Sequence, residues 1–311
     1  MPLEPRVKRF LDALAAGKPP NALDVSVEQR RQALAELMKL SGPATAIGPV
    51  EDRALPGPAG DVPVRIYAPT AGARARLPGL VFFHGGGLVA GSIGTHDAFA
   101  RALSAAGACR IVSVEYRLAP EHPYPAALED ALHGICHIAA NAEEFGIDPA
   151  RLGVCGESAG GTLAAAACQS FGASKGPTLA LQLLICPILD YGGTSASRRE
   201  FASGYLVDSE TLAHDLRHCL PPRMDAADPR ISPLRAQSLE GVPPTIVHTA
   251  ECDPLRDEGR AYYSRLEQTG AALSYTCHPG MIHLFYALGG VIPYARIAIE
   301  KIGHEIRAAL A

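Results

Sequence analysis

Over residues 6–16 and again over 26–40, apolar and charged positions alternate at helical spacing, with Gly17-Lys18-Pro19-Pro20 as a breaker between them. The pattern predicts two amphipathic helices ahead of any strand. From Ile47 the texture turns to β, where two short runs flank a Gly/Pro turn at 56–60 and read as a hairpin ending at Pro63-Val64-Arg65-Ile66-Tyr67-Ala68-Pro69. Beyond it, apolar runs at 80–83, 111–114, 152–155, 179–185, 245–249 and 273–276 alternate with helical stretches. Strands that are apolar at every position, rather than every second one, are buried on both faces. The chain therefore predicts an α/β fold with a mostly parallel central sheet of about eight strands flanked by helices.

Residues 191–235 break that rhythm with Gly, Ser, Pro and charged positions around a helix-like piece at 209–220. An insertion where a strand should lead straight into a helix commonly forms a lid. The expected division is a pair of N-terminal cap helices (1–45) and one main domain (46–311), with a helical cap insertion at about 191–235.

Composition narrows the function classes. With 48 % hydrophobic and 19 % charged residues the chain is of the ordered globular type. A net charge of −4 offers no basic field, so neither nucleic acid nor an anionic membrane surface is expected as partner; a small neutral molecule fits better. The eight cysteines stand singly with no CxxC pair, which reads as buried thiols of a reduced compartment and gives no zinc spacing. The N-terminus has no leader-like apolar stretch, and no run reaches bilayer length, so a cytoplasmic location is expected.

Gly156-Glu157-Ser158-Ala159-Gly160 lies between a strand-like and a helix-like stretch. A nucleophile on a tight strand-to-helix turn needs small residues two places before and after it, because larger side chains would collide there. The N–H after the serine then points at an incoming carbonyl oxygen from a helix N-terminus. His84-Gly85-Gly86-Gly87 ends another strand, and consecutive glycines let backbone donors converge on one point, as an oxyanion hole requires. Gly85 to Ala90 also fits a dinucleotide-binding pattern, with Glu115 as ribose acid, but Gly91, Ser92 and Gly94 break the helix that must follow. Asp253 follows the run at 245–249 and is placed to orient a histidine, a part that Asp257 or Glu258 could also play. His283 follows the last strand beyond both, in the chain order serine, acid, histidine; His278 is its nearest competitor.

Taken together, HGGG, Tyr116-Arg117-Leu118-Ala119-Pro120-Glu121-His122-Pro123, GESAGG, DPLRDEG and GMIHLF resemble the bacterial hormone-sensitive-lipase family of esterases (family IV) in the α/β-hydrolase superfamily. The resemblance runs from about Arg65 to the end. It implies a carboxylesterase with Ser158, Asp253 and His283 as triad and the N–H groups of Gly86, Gly87 and Ala159 as oxyanion donors. It also implies supporting places for His84, Gly85, Glu157, Arg117 and Glu121, esters of short to medium acyl chains as substrates, and no cofactor or metal. A homodimer through 273–276 and 291–311 is implied too. Glu157 stands where the family more often has Asp, Leu88 where an aromatic is common, and Leu284 where a glycine is common. A lactonase or amidase would use the same acyl chemistry. A non-catalytic receptor would lack a triad member, and this chain keeps all three.

Overall fold

A computed structural model of the chain describes residues 2–70, 76–173, 176–222 and 224–311. The predicted hairpin is β1 (Val50–Leu55) and β2 (Val62–Tyr67), paired antiparallel with Val50 opposite Tyr67. It joins a single sheet through β4 (Arg110–Val114), again antiparallel. The remaining strands, β3 (Leu77–Phe83), β5 (Ile147–Glu157), β6 (Leu181–Ile185), β7 (Thr245–Cys252) and β8 (Ala272–Ile282), are parallel, giving the order β1-β2-β4-β3-β5-β6-β7-β8. The eight strands and their mostly parallel sense match the expectation from the apolar runs.

Alternation along a strand sends its side chains to opposite faces. Leu80 and Phe82 of β3 meet α3 (Asp97–Gly107) and α9 (Tyr294–Ala309) in one core, while Val81 and Phe83 meet α4 (Ala126–Ala140), α5 (Ala159–Ala173) and α8 (Arg256–Glu267) in the other. Burial on both sides is why β6 reads Leu-Gln-Leu-Leu-Ile without a polar face to solvent. Helix α5 is buried along its whole first part, Ala159 to Cys168, and is made of Ala, Gly, Thr, Leu and Cys. Small residues on every side let it sit close against the sheet behind Ser158.

The N-terminal helices are α1 (Pro5–Ala16) and α2 (Val27–Met38), the second opened by a Ser26–Gln29 capping box. The Glu4 N–H donates to the Gly280 carbonyl of β8 (3.1 Å), so α1 begins beside the end of the last strand. Within the predicted insertion lie α6 (Ala196–Glu200) and α7 (Ser209–Cys219); residue 223 of that segment is outside the described residues. Helix α7 is bonded to the loop between α1 and α2: Asn21 donates to Glu210 (2.9 Å) and Arg217 to the Leu23 carbonyl (3.2 Å).

One expectation is corrected. The last strand, expected over 273–276, runs on to Ile282, with a register shift opposite Ala250 and Cys252. An edge strand tolerates Pro279 and Gly280 because one side of its ladder is unpaired and a bulge absorbs the irregularity. All eight cysteines are unpaired, and among the described residues no helix is long and apolar enough to cross a membrane. Leu273 of β8 and Ile297 of α9 are large apolar side chains left exposed.

Candidate active site

Ser158 is the sole residue between the end of β5 and the start of α5, and it is held at φ 53°. A side-chain-bearing residue in that left-handed region costs about 1–2 kcal/mol. Three hydrogen bonds of about 1 kcal/mol each offset it: Ser158 N–H to the Ile185 carbonyl, and the Ser158 carbonyl from Gly161 and Ile188, all at 3.0 Å. The flanking glycines are required by contact, because a Cβ on Gly156 would strike the Gly160 carbonyl and one on Gly160 the carbonyls of Phe83 and His84. The turn therefore fixes the Gly loop and the serine against each other.

Asp253 follows β7 and His283 follows β8, which brings both to the same sheet edge as Ser158. One Asp253 oxygen accepts the Leu255 N–H (2.8 Å), and the other lies 2.8 Å from His283 Nδ1. His283 Nε2 is 3.0 Å from Ser158 Oγ. In the neutral ring with its proton on Nδ1, His283 donates to Asp253 and accepts from the serine hydroxyl. The competitors are elsewhere: His278 sits on β8 against His248 (3.0 Å) and Tyr294, Asp257 accepts from Ser197 N–H (2.8 Å), and Glu258 holds Arg198 and the N–H groups of Leu189 and Asp190.

Burial pulls the His283 pKa down, but the charge and hydrogen bond of Asp253, with Glu157 behind them, outweigh it and leave the ring above the usual 6.5. A general base must be neutral, so activity is expected to rise with pH through a midpoint above that value. Glu157 Oε1 lies 3.7 Å from His283 Nε2. Glu157→Gln keeps the shape and removes that charge, so the acid limb of kcat/KM against pH should move to lower pH; an unmoved limb would contradict this electrostatic account.

The Glu157 carboxylate is buried and approaches His96 Nε2 at 3.3 Å without a directed hydrogen bond. Burial pushes its pKa up, yet His96 and His283 hold it below the usual carboxylate range. Gly85 packs against this carboxylate, where a Cβ would not fit. His84 is held down to about 3, by burial and then by His96, so its ring is neutral. It hydrogen-bonds the Gly85 carbonyl through Nδ1 (2.8 Å) and stacks on Tyr116 (4.3 Å), whose hydroxyl donates to the His84 carbonyl (2.7 Å). Gly86 accepts from Val89 and Ala90 through its carbonyl, whereas the N–H groups of Gly86, Gly87 and Ala159 donate to no described backbone carbonyl.

The two charged residues of the YRLAPEHP segment do different things. Arg117 grips Asp130 (2.8 Å) and the Ala126 carbonyl (3.1 Å), fixing the segment to α4. Glu121 instead faces outward and pairs with Arg31 of α2 (2.6 Å), a residue the sequence did not single out. Arg31 also donates to the carbonyls of Val89 (2.9 Å) and Ala119 (3.0 Å). Exposed pairs contribute about 0.2–1 kcal/mol, against about 1.5–3 for a charged donor on a sheltered acceptor, so the carbonyl bonds do most to anchor α2 beside the Gly loop. Its neighbour Arg30 bonds both Asp215 oxygens on α7 (3.2 and 2.9 Å), and Asp215 packs so closely on Gly87 that a Cβ there would collide. No local signal marked Arg30, Arg31 or Asp215, because charges on a helix do not name their partners.

A family model described as alpha/beta hydrolase fold matches residues 80–287. Carboxylic ester hydrolase LipN of Mycobacterium tuberculosis is 40 % identical over 250 residues, 78 % of this chain and 66 % of that protein. Esterase LipI of the same organism is 34 % identical over 305 residues, 96 % of this chain and 92 % of that one. The solved ester-hydrolase EH1AB1 from the Lake Arreo metagenome superposes with a TM-score of 0.95 at 37 % identity, covering 98 % of both chains. The chain thus belongs to the α/β-hydrolase family, in its hormone-sensitive-lipase group of carboxylic ester hydrolases.

Proposed function

We propose that this chain hydrolyses carboxylic esters of short to medium acyl chains through an acyl-enzyme on Ser158. The observation that carries the reading is the continuous path from Ser158 Oγ to His283 Nε2 (3.0 Å) and from His283 Nδ1 to Asp253 (2.8 Å). His283 takes the serine proton as Oγ attacks the ester carbonyl, and Asp253 holds the ring in the needed tautomer and stabilises its cation. The N–H groups of Gly86, Gly87 and Ala159 receive the oxyanion, a contribution of about 100- to 1,000-fold per donor. His283 returns the proton to the leaving alcohol, then activates the water that frees the acid.

The N-terminal helices and the 191–235 insertion act as one cap over the serine, which is only 7 % exposed. The Arg30–Asp215 pair supports this, since it joins α2 to α7 directly above Gly87. A cap held by ion pairs and short helices encloses a limited acyl space. Aryl esters of increasing acyl length, tested beside a lactone and an anilide, should show kcat/KM highest for short to medium esters. A higher value for the lactone or the anilide would replace the ester reading by lactonase or amidase.

A further inference from the structure

Cys186 follows directly on β6 at φ 43°, with a buried thiol that the hydrolytic steps leave unused. Its sulfur, a carboxylate oxygen of Asp253 and a ring nitrogen of His283 all lie within 4.8 Å of one another. The three residues are 1, 0 and 3 % exposed. We propose that Cys186, Asp253 and His283 form a site for a thiophilic divalent cation of the Zn²⁺ class, which stops hydrolysis by replacing the hydrogen bond between Asp253 and His283. The inference rests on the triad reading above.

The donor set selects the ion. Sulfur, imidazole nitrogen and a single carboxylate suit Zn²⁺, whereas Mg²⁺ seeks several oxygens and keeps its waters. The charges also close, because one carboxylate and one thiolate neutralise a divalent ion that would otherwise be costly to bury. Without the ion the thiol stays protonated: burial first, then the charges of Asp253 and Glu157, push its pKa well up. Binding expels that proton to solvent, as a coordinating thiol is deprotonated by its metal. His283 Nδ1, already 2.8 Å from Asp253, gives its lone pair to the ion, so the ring's one proton moves to Nε2. A protonated Nε2 cannot accept the proton of Ser158.

The full-length protein, stripped with chelator, is titrated with zinc chloride. Bound metal is read by equilibrium dialysis and hydrolysis by release from a short aryl ester. One zinc per chain should bind, inhibition should follow the same midpoint, chelator should restore activity, and magnesium chloride should do nothing. Cys186→Ala and Cys186→Ser should keep hydrolysis without zinc and need roughly 100-fold more zinc for inhibition, at the upper end of what even indirect metal-site contacts are worth. Equal zinc sensitivity in both variants, or zinc bound without loss of activity, would overturn the proposal. X-ray absorption of the zinc-loaded wild type gives a readout free of both variants and activity. A sulfur shell near about 2.3 Å supports the site and its absence overturns it. Failure of the untreated protein to hydrolyse esters would instead strike at the esterase reading.

Discussion

Alanine at position 158 is expected to lower kcat for a short aryl ester by about a millionfold, the scale on which removing a serine nucleophile operates. In the proposed mechanism the substitution deletes the attacking atom, Ser158 Oγ. His283 would keep its Asp253 partner (2.8 Å) and the Gly loop would keep its shape, so folding and ligand affinity should persist while turnover vanishes. Alanine removes only Oγ, leaving the backbone bonds to Ile185, Gly161 and Ile188 that hold the turn. Single-turnover kinetics on the purified variant make the check, with circular dichroism to verify the fold. Activity at the wild-type level would remove Ser158 from the mechanism.

Asp253→Asn is expected to cost about 10⁴-fold in kcat. The amide is the same size as the carboxylate, so packing around this fully buried residue should survive. Its oxygen can still accept from Leu255 N–H, which leaves the NH₂ group facing His283 Nδ1. A donor there forces the imidazole to carry its proton on Nε2, where it can no longer take the serine's. The negative charge that stabilises the imidazolium is lost as well. The effect should fall on kcat far more than on KM, because substrate binding does not depend on the tautomer. A loss smaller than about tenfold would assign the orienting role to another group.

Much of this site was readable because its chemistry constrains residue type locally. The turn around Ser158 demands small residues at 156 and 160, and the collisions a Cβ would make there are the reason the pentapeptide carries a signal. The inner strands were readable because two-sided burial makes their runs mostly apolar, whereas the β1–β2 hairpin was read from its turn. The preference for His283 over His278 came from chain order and family resemblance, while its geometric cause was not readable. That cause is β8 running on through Pro279 and Gly280 to Ile282, which turns His278 toward His248 and carries His283 to the serine. Glu121 shows a second limit: the segment's place in the fold was legible, but the partner of its carboxylate is Arg31, 90 residues earlier. Arg30 and Asp215 meet across 185 residues, and each alone is one more charge on an amphipathic helix. Cys186 read as one more buried thiol, since nothing in sequence brings a residue after β6 beside residues after β7 and β8.

In the proposed mechanism Ser158, activated by His283 and Asp253, becomes covalently acylated. Treating the wild-type protein with a serine-directed fluorophosphonate and mapping the adduct by peptide mass spectrometry tests it most directly. One adduct per chain is expected, on the peptide containing Ser158, appearing at the rate at which ester hydrolysis is lost. An adduct on another residue, or full loss of hydrolysis with Ser158 unmodified, would contradict it.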